Sequence, residues 1–189
     1  MHKHILALCF LVISAPALAQ KHSRSADEAI AGRAAMLQSL QRGREIIGAG
    51  GRVYQHLPEV RAVEGKDAAQ GAVIETKGKL VLFRGPATGS VALDRNGNSV
   101  VYPTVVNPQT GTLGVLTGVL VVKPKTMSDA DAIASSHGLD KGRVFAHLQT
   151  VFYKVRPGED IAGAAAALQA DPRVESAYPE IIERVRQPK

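Results

Sequence analysis

Between Val119 and Ala177 the apolar residues change spacing in a set succession, and that succession limits the fold more than any other feature of the chain. Val119-Leu120-Val121-Val122 is a near-continuous apolar run of strand length. Over Ser128 to His137, the residues Ala130, Ile133, Ala134 and His137 fall at the spacing of one helix face, and Gly138 stops the helix. Val144 to Leu148 and Val151 to Val155 read as two strands with a tight connection. Pro157-Gly158-Glu159-Asp160 then turns into a second helix whose apolar stripe is Ile161, Ala164, Ala165 and Leu168. Asp171-Pro172 ends that helix, because a residue before proline avoids the helical region. Val174 to Ala177 is the final strand.

The order is β-α-β-β-α-β, a ferredoxin-like arrangement. It predicts an antiparallel sheet with both helices on one face and the other face open to a partner. Metal carriers with this order need paired soft ligands, and His56, His137 and His147 have no such spacing. RNA-binding sheets need exposed aromatics on central strands. Phe145, Phe152 and Tyr153 are the only candidates, and no Lys/Arg-Gly-Phe run accompanies them.

Upstream the pattern is weaker. Ser25 to Ile47 reads as a helix, with Ser25 and Glu28 at capping-box spacing and Ile30, Leu37, Leu40 and Ile47 on one face. Gly48-Ala49-Gly50-Gly51 ends it. Arg52 to Gln70 shows no clean period and is expected to be linker. From Gly71 short strands follow. Val73 to Thr76 and Leu80 to Phe83 flank Lys77-Gly78-Lys79 as a hairpin. Val91 to Leu93 and Val100 to Tyr102 flank a loop holding Asn96-Gly97, a favoured turn pair. Thr104 to Val106 and Leu113 to Leu116 flank Asn107 to Gly111. The expected class is therefore α+β. A helical segment and linker over 20–70 precede a small antiparallel β unit over 71–117, then the ferredoxin-like region over 118–189.

The leader sets the expected compartment. Lys3 between two histidines, the apolar run Ile5 to Leu18, and Ala17-Leu18-Ala19 have the order of a secretory signal peptide over 1–19. The run is shorter than the roughly 20 apolar residues of a membrane span, so export to the periplasm or medium is expected, without membrane insertion. The single cysteine, Cys9, lies inside that leader, so stability must come from packing. Aromatics make up only 4% and there is no Trp. That argues against an aromatic-lined small-molecule pocket or a nucleic-acid platform. The net charge of +6 is spread along the chain and reads as a solvated basic surface.

The residues from Gly118 to Lys189 resemble the propeptide domain of subtilisin-like serine proteases. Val119-Leu120-Val121-Val122-Lys123-Pro124-Lys125 resembles its first strand. Ala167-Leu168-Gln169-Ala170-Asp171-Pro172-Arg173-Val174-Glu175-Ser176-Ala177-Tyr178-Pro179-Glu180 resembles its Ala/Leu helix end followed by Asp-Pro-x-Val, an Ala and a carboxylate. Tyr102-Pro103, Asn107 to Val115 and Thr117-Gly118 are similar to stand-alone external chaperones of secreted subtilisin/kexin-like proteases.

The resemblance implies that the open sheet face packs on the protease and that the C-terminal extension lies in its substrate cleft. Glu180 matches the family's acidic position that caps a protease helix. Tyr178 and Pro179 stand where subtilisin's propeptide has acids. Ile182, Glu183, Arg184, Val185, Arg186, Gln187, Pro188 and Lys189 would form the cleft-binding tail, with Arg186 or Lys189 in the specificity pocket. Little beyond Glu180 is expected to be needed for the fold.

No cofactor or metal is expected, and the implied partner is a subtilisin/kexin-like serine protease. No Gly-Thr-Ser-like nucleophile setting or Asp/His/Ser constellation is visible, so the chain is expected to be non-catalytic. Two other readings stand beside that of chaperone and transient inhibitor. One is a dedicated inhibitor without a folding role; the other is a basic cell-envelope binding protein.

Overall fold

The computed structural model describes residues 28, 31–64, 71–85, 101–156 and 159–184. The leader over 1–19, the Ser25 cap, the Val91 strand with its Asn96-Gly97 turn, the Pro157-Gly158 turn and the tail from Val185 to Lys189 lie outside these residues. The chain divides into two compact units, Met1–Ser39 and Leu40–Lys189. In the first, residues 31–39 form helix α1.

The helix expected to reach Ile47 stops short of it. Glu45–Ile47 is strand β1 and pairs with β2, Val53–Glu64. Ile46 is 3% exposed there, and the backbone extends the pairing through Gly43 N–H to His56 O at 2.8 Å and His56 N–H to Arg44 O at 3.0 Å. Burial plus ladder bonds outweigh a helical preference worth under about 1 kcal/mol per residue.

β2 also corrects the linker reading of 52–70 over residues 53–64; residues 65–70 lie outside the described residues. Its buried residues are Tyr54, Leu57, Val60, Ala62 and Val63. Its register with β5 shifts between Leu57 and Arg61. Extra residues at such a shift, with burial on both faces, erase the period-2 signal of a strand.

β3 (Ala72–Lys77) and β4 (Leu80–Arg84) form the expected hairpin, with Gly78 at φ +60°. β5 (Val101–Val106) runs through Pro103 as one strand, and Pro103 lies opposite Arg61 at the register shift. Such an irregularity tolerates a residue without an N–H. After the Asn107 turn, β6 runs unbroken from Leu113 to Pro124. It therefore passes through residues 117 and 118, where the sequence suggested a division.

The second half follows as α2 (Ala130–His137), β7 (Asp140–Phe145), β8 (Thr150–Lys154), α3 (Ile161–Gln169) and β9 (Val174–Ile182). β7 begins before the expected Val144, because its first residues are polar and exposed and give no apolar period. Ala146–Leu148 is a 3-10 turn instead of strand. β9 runs on past the expected end at Ala177, carried by pairing along β6.

Among the described residues nine strands make one sheet, ordered β3-β4-β2-β5-β6-β8-β7, with β1 on β2 and β9 on β6. Every pairing is antiparallel. The class is thus mixed α and β, dominated by an antiparallel sheet.

β6 joins the two halves. β9 pairs along it from Val115 to Pro124, while β5 takes 113–115 and β8 takes 119–122. The main core lies between α2, α3 and the sheet: Leu120, Val122, Val151, Tyr153 and Ala177 meet Ile133, Ala165 and Leu168. Ile46, Tyr54, Val105 and Leu116 continue the same core into the first half.

Among the described residues one buried side-chain oxygen lacks a partner. Thr104 is 0% exposed, and its Oγ1 has no hydrogen bond among the described residues. An unpaired buried hydroxyl costs about 1–3 kcal/mol. Thr104→Val keeps the shape and removes that cost, so urea unfolding is expected to show a gain of roughly that size. A loss of stability would mean that the hydroxyl has a partner.

Candidate functional site

In β6, β8 and β9, alternate residues point to opposite faces of the sheet. Leu120, Val122, Val151, Tyr153, Ala177 and Pro179 are buried on the helix side. The Tyr153 phenol donates to Ala130 O at 2.8 Å. Burial, with the Asp131 carboxylate behind it, pushes that phenol up to about 12. The other face is the one turned away from α2 and α3. Across it Tyr178, Val121 and Phe152 stand in register, each half-buried. Phe145 continues the row, packed edge-on against Phe152 at 5.5 Å between ring centres. This is an apolar, partly aromatic strip on the sheet face opposite α2 and α3.

Glu180 shares the strip's side of β9. It stands opposite a bulge in β6, where Thr117, Gly118 and Val119 sit between the paired Leu116 and Leu120. Gly118 is at φ +76°, a conformation that glycine adopts freely. Thr117 Oγ1 donates to Glu180 Oε2 at 2.7 Å. Glu180 is therefore inside the last strand, with one oxygen already engaged.

Beyond it the chain is held more firmly than the sequence suggested. Ile181 packs on the main core. It fits a slot that two glycines leave open: a Cβ on Gly114 would stand 2.6 Å from Ile181 Cγ2, and one on Gly48 3.2 Å from its Cδ1. Ile182 pairs with Val115. The Lys77 ammonium, on a residue 8% exposed, donates to Glu183 O at 2.8 Å and to Glu75 Oε1 at 2.7 Å. Arg52 Nη1 lies 3.4 Å from Glu183 Oε2. Burial first, then the Glu183 charge, pushes the Tyr54 phenol up. Ile182 and Glu183 thus belong to the fold, and Arg184 is the first exposed residue after it. Val185, Arg186, Gln187, Pro188 and Lys189 lie outside the described residues.

The Asp-Pro motif has a structural task. Asp171 Oδ1 accepts from Arg173 N at 2.9 Å and Nε at 2.9 Å, and Oδ2 from Arg173 Nη2 at 2.6 Å. His137 Nε2 lies 2.9 Å from the same Oδ2, and Arg173 Nη2 donates to Ser136 Oγ at 2.7 Å. The cluster ties the end of α2 to the turn between α3 and β9. Asp160, the cap of α3, accepts from Ala162 N at 3.0 Å and forms a two-pronged pair with Arg44.

The Arg173 guanidinium, then the Arg173 N–H and His137, hold the Asp171 carboxyl well below its ordinary value. Arg44 chiefly, helped by the Gly163 and Ala162 N–H groups and opposed by burial, holds Asp160 down to about 2 from 3.8. A carboxyl depressed on folding adds stability above its unfolded value and loses it as pH falls through the folded value. Stability to urea is therefore expected to fall from about pH 4 downward on account of these two groups. Asp171→Asn should flatten part of that slope. An unchanged slope would mean that the cluster does not hold in solution.

Among the described residues no group of three or more His, Cys, Asp or Glu could hold a metal ion. No helix among them is long and apolar enough to cross a membrane.

Comparison with known proteins bears on this arrangement. A search of curated proteins finds no match. Among solved structures, a chain in the crystal structure of the Aeromonas sobria serine protease (ASP) with the chaperone (ORF2) is similar, at 21% identity and a TM-score of 0.39. The match covers 52% of this chain and 100% of that one. A family model, the open reading frame 2 N-terminal domain, matches residues 50–188. That span takes in the sheet from β2 to β9 and nearly all of the tail, and the chain belongs to the open reading frame 2 N-terminal domain family.

Proposed function

We propose that this chain is a separate, non-catalytic chaperone that assists folding of an exported subtilisin-like serine protease and then occupies its cleft as a transient inhibitor. The observation that carries the reading is the strand order β9-β6-β8-β7 with α2 and α3 on one side, which suits the ferredoxin-like propeptide fold. Family membership supports it. So does the family's designation, shared with the ORF2 chaperone of the Aeromonas sobria complex.

On this reading the open strip of Tyr178, Val121, Phe152 and Phe145 packs on the protease surface. The tail from Arg184 enters the cleft as an added strand, held by main-chain hydrogen bonds and sorted by side-chain pockets. Its basic residues Arg184, Arg186 and Lys189 suit a protease that cleaves after basic residues. Glu180 keeps an oxygen for the unpaired amides at a protease helix start, a contact worth about 0.3–1 kcal/mol.

The folding role follows from topology. Subtilisin-like domains rest on a parallel sheet with many non-local contacts, and such sheets form slowly. A partner that binds the folding transition state speeds folding tenfold for each roughly 1.36 kcal/mol. If it also binds the finished enzyme, it blocks the cleft, so one surface serves both roles. The leader over 1–19 would deliver the chain to the compartment of the protease, periplasmic or external.

Titrating the purified protein, without residues 1–19, against subtilisin-like serine proteases tests the reading. The panel should include any propeptide-lacking one encoded beside this gene. Competitive, saturable inhibition of at least one is expected. No inhibition and no complex with any would favour the cell-envelope reading.

A further inference from the structure

The polar and glycine contacts that clamp residues 181–183 come from the first half of the sheet. Gly48, Arg52 and Tyr54 come from the β1–β2 region, Lys77 from β3 and Gly114 from the start of β6. Lys77 stands out among these. A Lys side chain only 7% exposed is costly unless its protons are taken. Here it grips the main-chain carbonyl of Glu183, the residue before exposed Arg184, together with Glu75. Glu183 is held at both ends, its carbonyl by Lys77 and its carboxylate facing Arg52.

We infer that the N-terminal β region, acting through Lys77, is a positioning device that fixes the direction in which the C-terminal tail leaves the fold. Ile181 in its glycine slot sets depth, the Ile182–Val115 pair sets register, and Lys77 sets the exit at Glu183. The inference deepens the cleft-binding reading above and rests on it for its functional part. A tail that already points toward the cleft loses less conformational freedom on binding, which raises affinity without any new contact. Lys77 is thus a positioning residue, distant from any reacting atom. It gives the region before the propeptide-like half a defined task.

Lys77→Met keeps the aliphatic stem and removes the ammonium, and Gly114→Ala crowds Ile181. Three readouts are needed, each after thermal unfolding has shown a folded protein. Amide hydrogen exchange of residues 181–184, measured on the chain alone, is expected to quicken in both variants. Inhibition of the protease is expected to weaken about tenfold or more, the scale of one hydrogen bond to a charged group. That weakening should vanish when 185–189 are deleted from both parent and variant, since the clamp acts only through the tail. Unchanged exchange, or equal weakening with and without the tail, overturns the inference. If the parent inhibits no protease, the cleft-binding reading fails, and the exchange measurement alone still decides whether the clamp exists.

Discussion

Leu168→Asp is expected to leave the second half of the molecule unfolded at room temperature. Leu168 is 0% exposed at the end of α3, among Leu120, Val122, Ala165 and Ala177. Truncating such a leucine to Ala costs about 2–5 kcal/mol through lost transfer energy and the cavity left behind. Aspartate adds a charge that no neighbouring group offsets, at a further cost of several kcal/mol. Total stability of a domain is only about 5–15 kcal/mol, so little or none remains. The damage should spread, because the same core continues through Leu116 to Ile46, Tyr54 and Val105 in the first half. Circular dichroism and urea unfolding of the variant check this. An unfolding curve matching the parent would mean that α3 packs through another face.

The second large effect concerns where the chain is cut. Removing residues 185–189 is expected to leave the fold intact and to weaken protease inhibition by about a hundredfold or more, the scale lost when one arm of a two-part contact goes. Removing 182–189 is expected to do something different. It deletes the Ile182–Val115 pair and the carbonyl that Lys77 grips, so the fold itself loses about 1.5–3 kcal/mol for that charged hydrogen bond alone. The sequence placed the end of the fold near Glu180; the clamp moves it to Glu183. Thermal unfolding and inhibition curves for both truncated proteins separate the two effects. Full inhibition by the chain ending at Arg184 would mean that the sheet face blocks the enzyme without the tail.

What the sequence made legible and what it hid divide along a physical line. The order of elements from β6 to β9 could be read because α2 and α3 carry regular stripes and end at clear signals, Gly138 and Asp171-Pro172. The resemblance to a propeptide rested on these same residues. β2 gives no strand period in the sequence because its residues are buried on both faces and a register shift interrupts their spacing. β1 has the look of helix in the sequence because Ile47 falls on a helical spacing, whereas its neighbour Ile46 is the one buried. The clamp left no local signal at all. Lys77 looks like a hairpin turn residue, and Glu183 like part of a loose tail. Only pairing of strands far apart in the chain brings them within 2.8 Å. Glycines 48 and 114 likewise reveal their use only once Ile181 is seen against them.

The central claim is that this chain helps a serine protease to fold, and one measurement addresses it directly. A propeptide-lacking subtilisin-like serine protease is denatured, then diluted into buffer with and without an equimolar amount of this protein lacking residues 1–19. Recovered activity is read after the chaperone has been removed by dilution or digestion. The account predicts a large, saturable rise in recovered active protease, reduced in the Lys77→Met variant and lost in Leu168→Asp. Equal recovery with and without the chain, alongside ordinary inhibition of protease that is already folded, would contradict the chaperone role and leave a dedicated inhibitor.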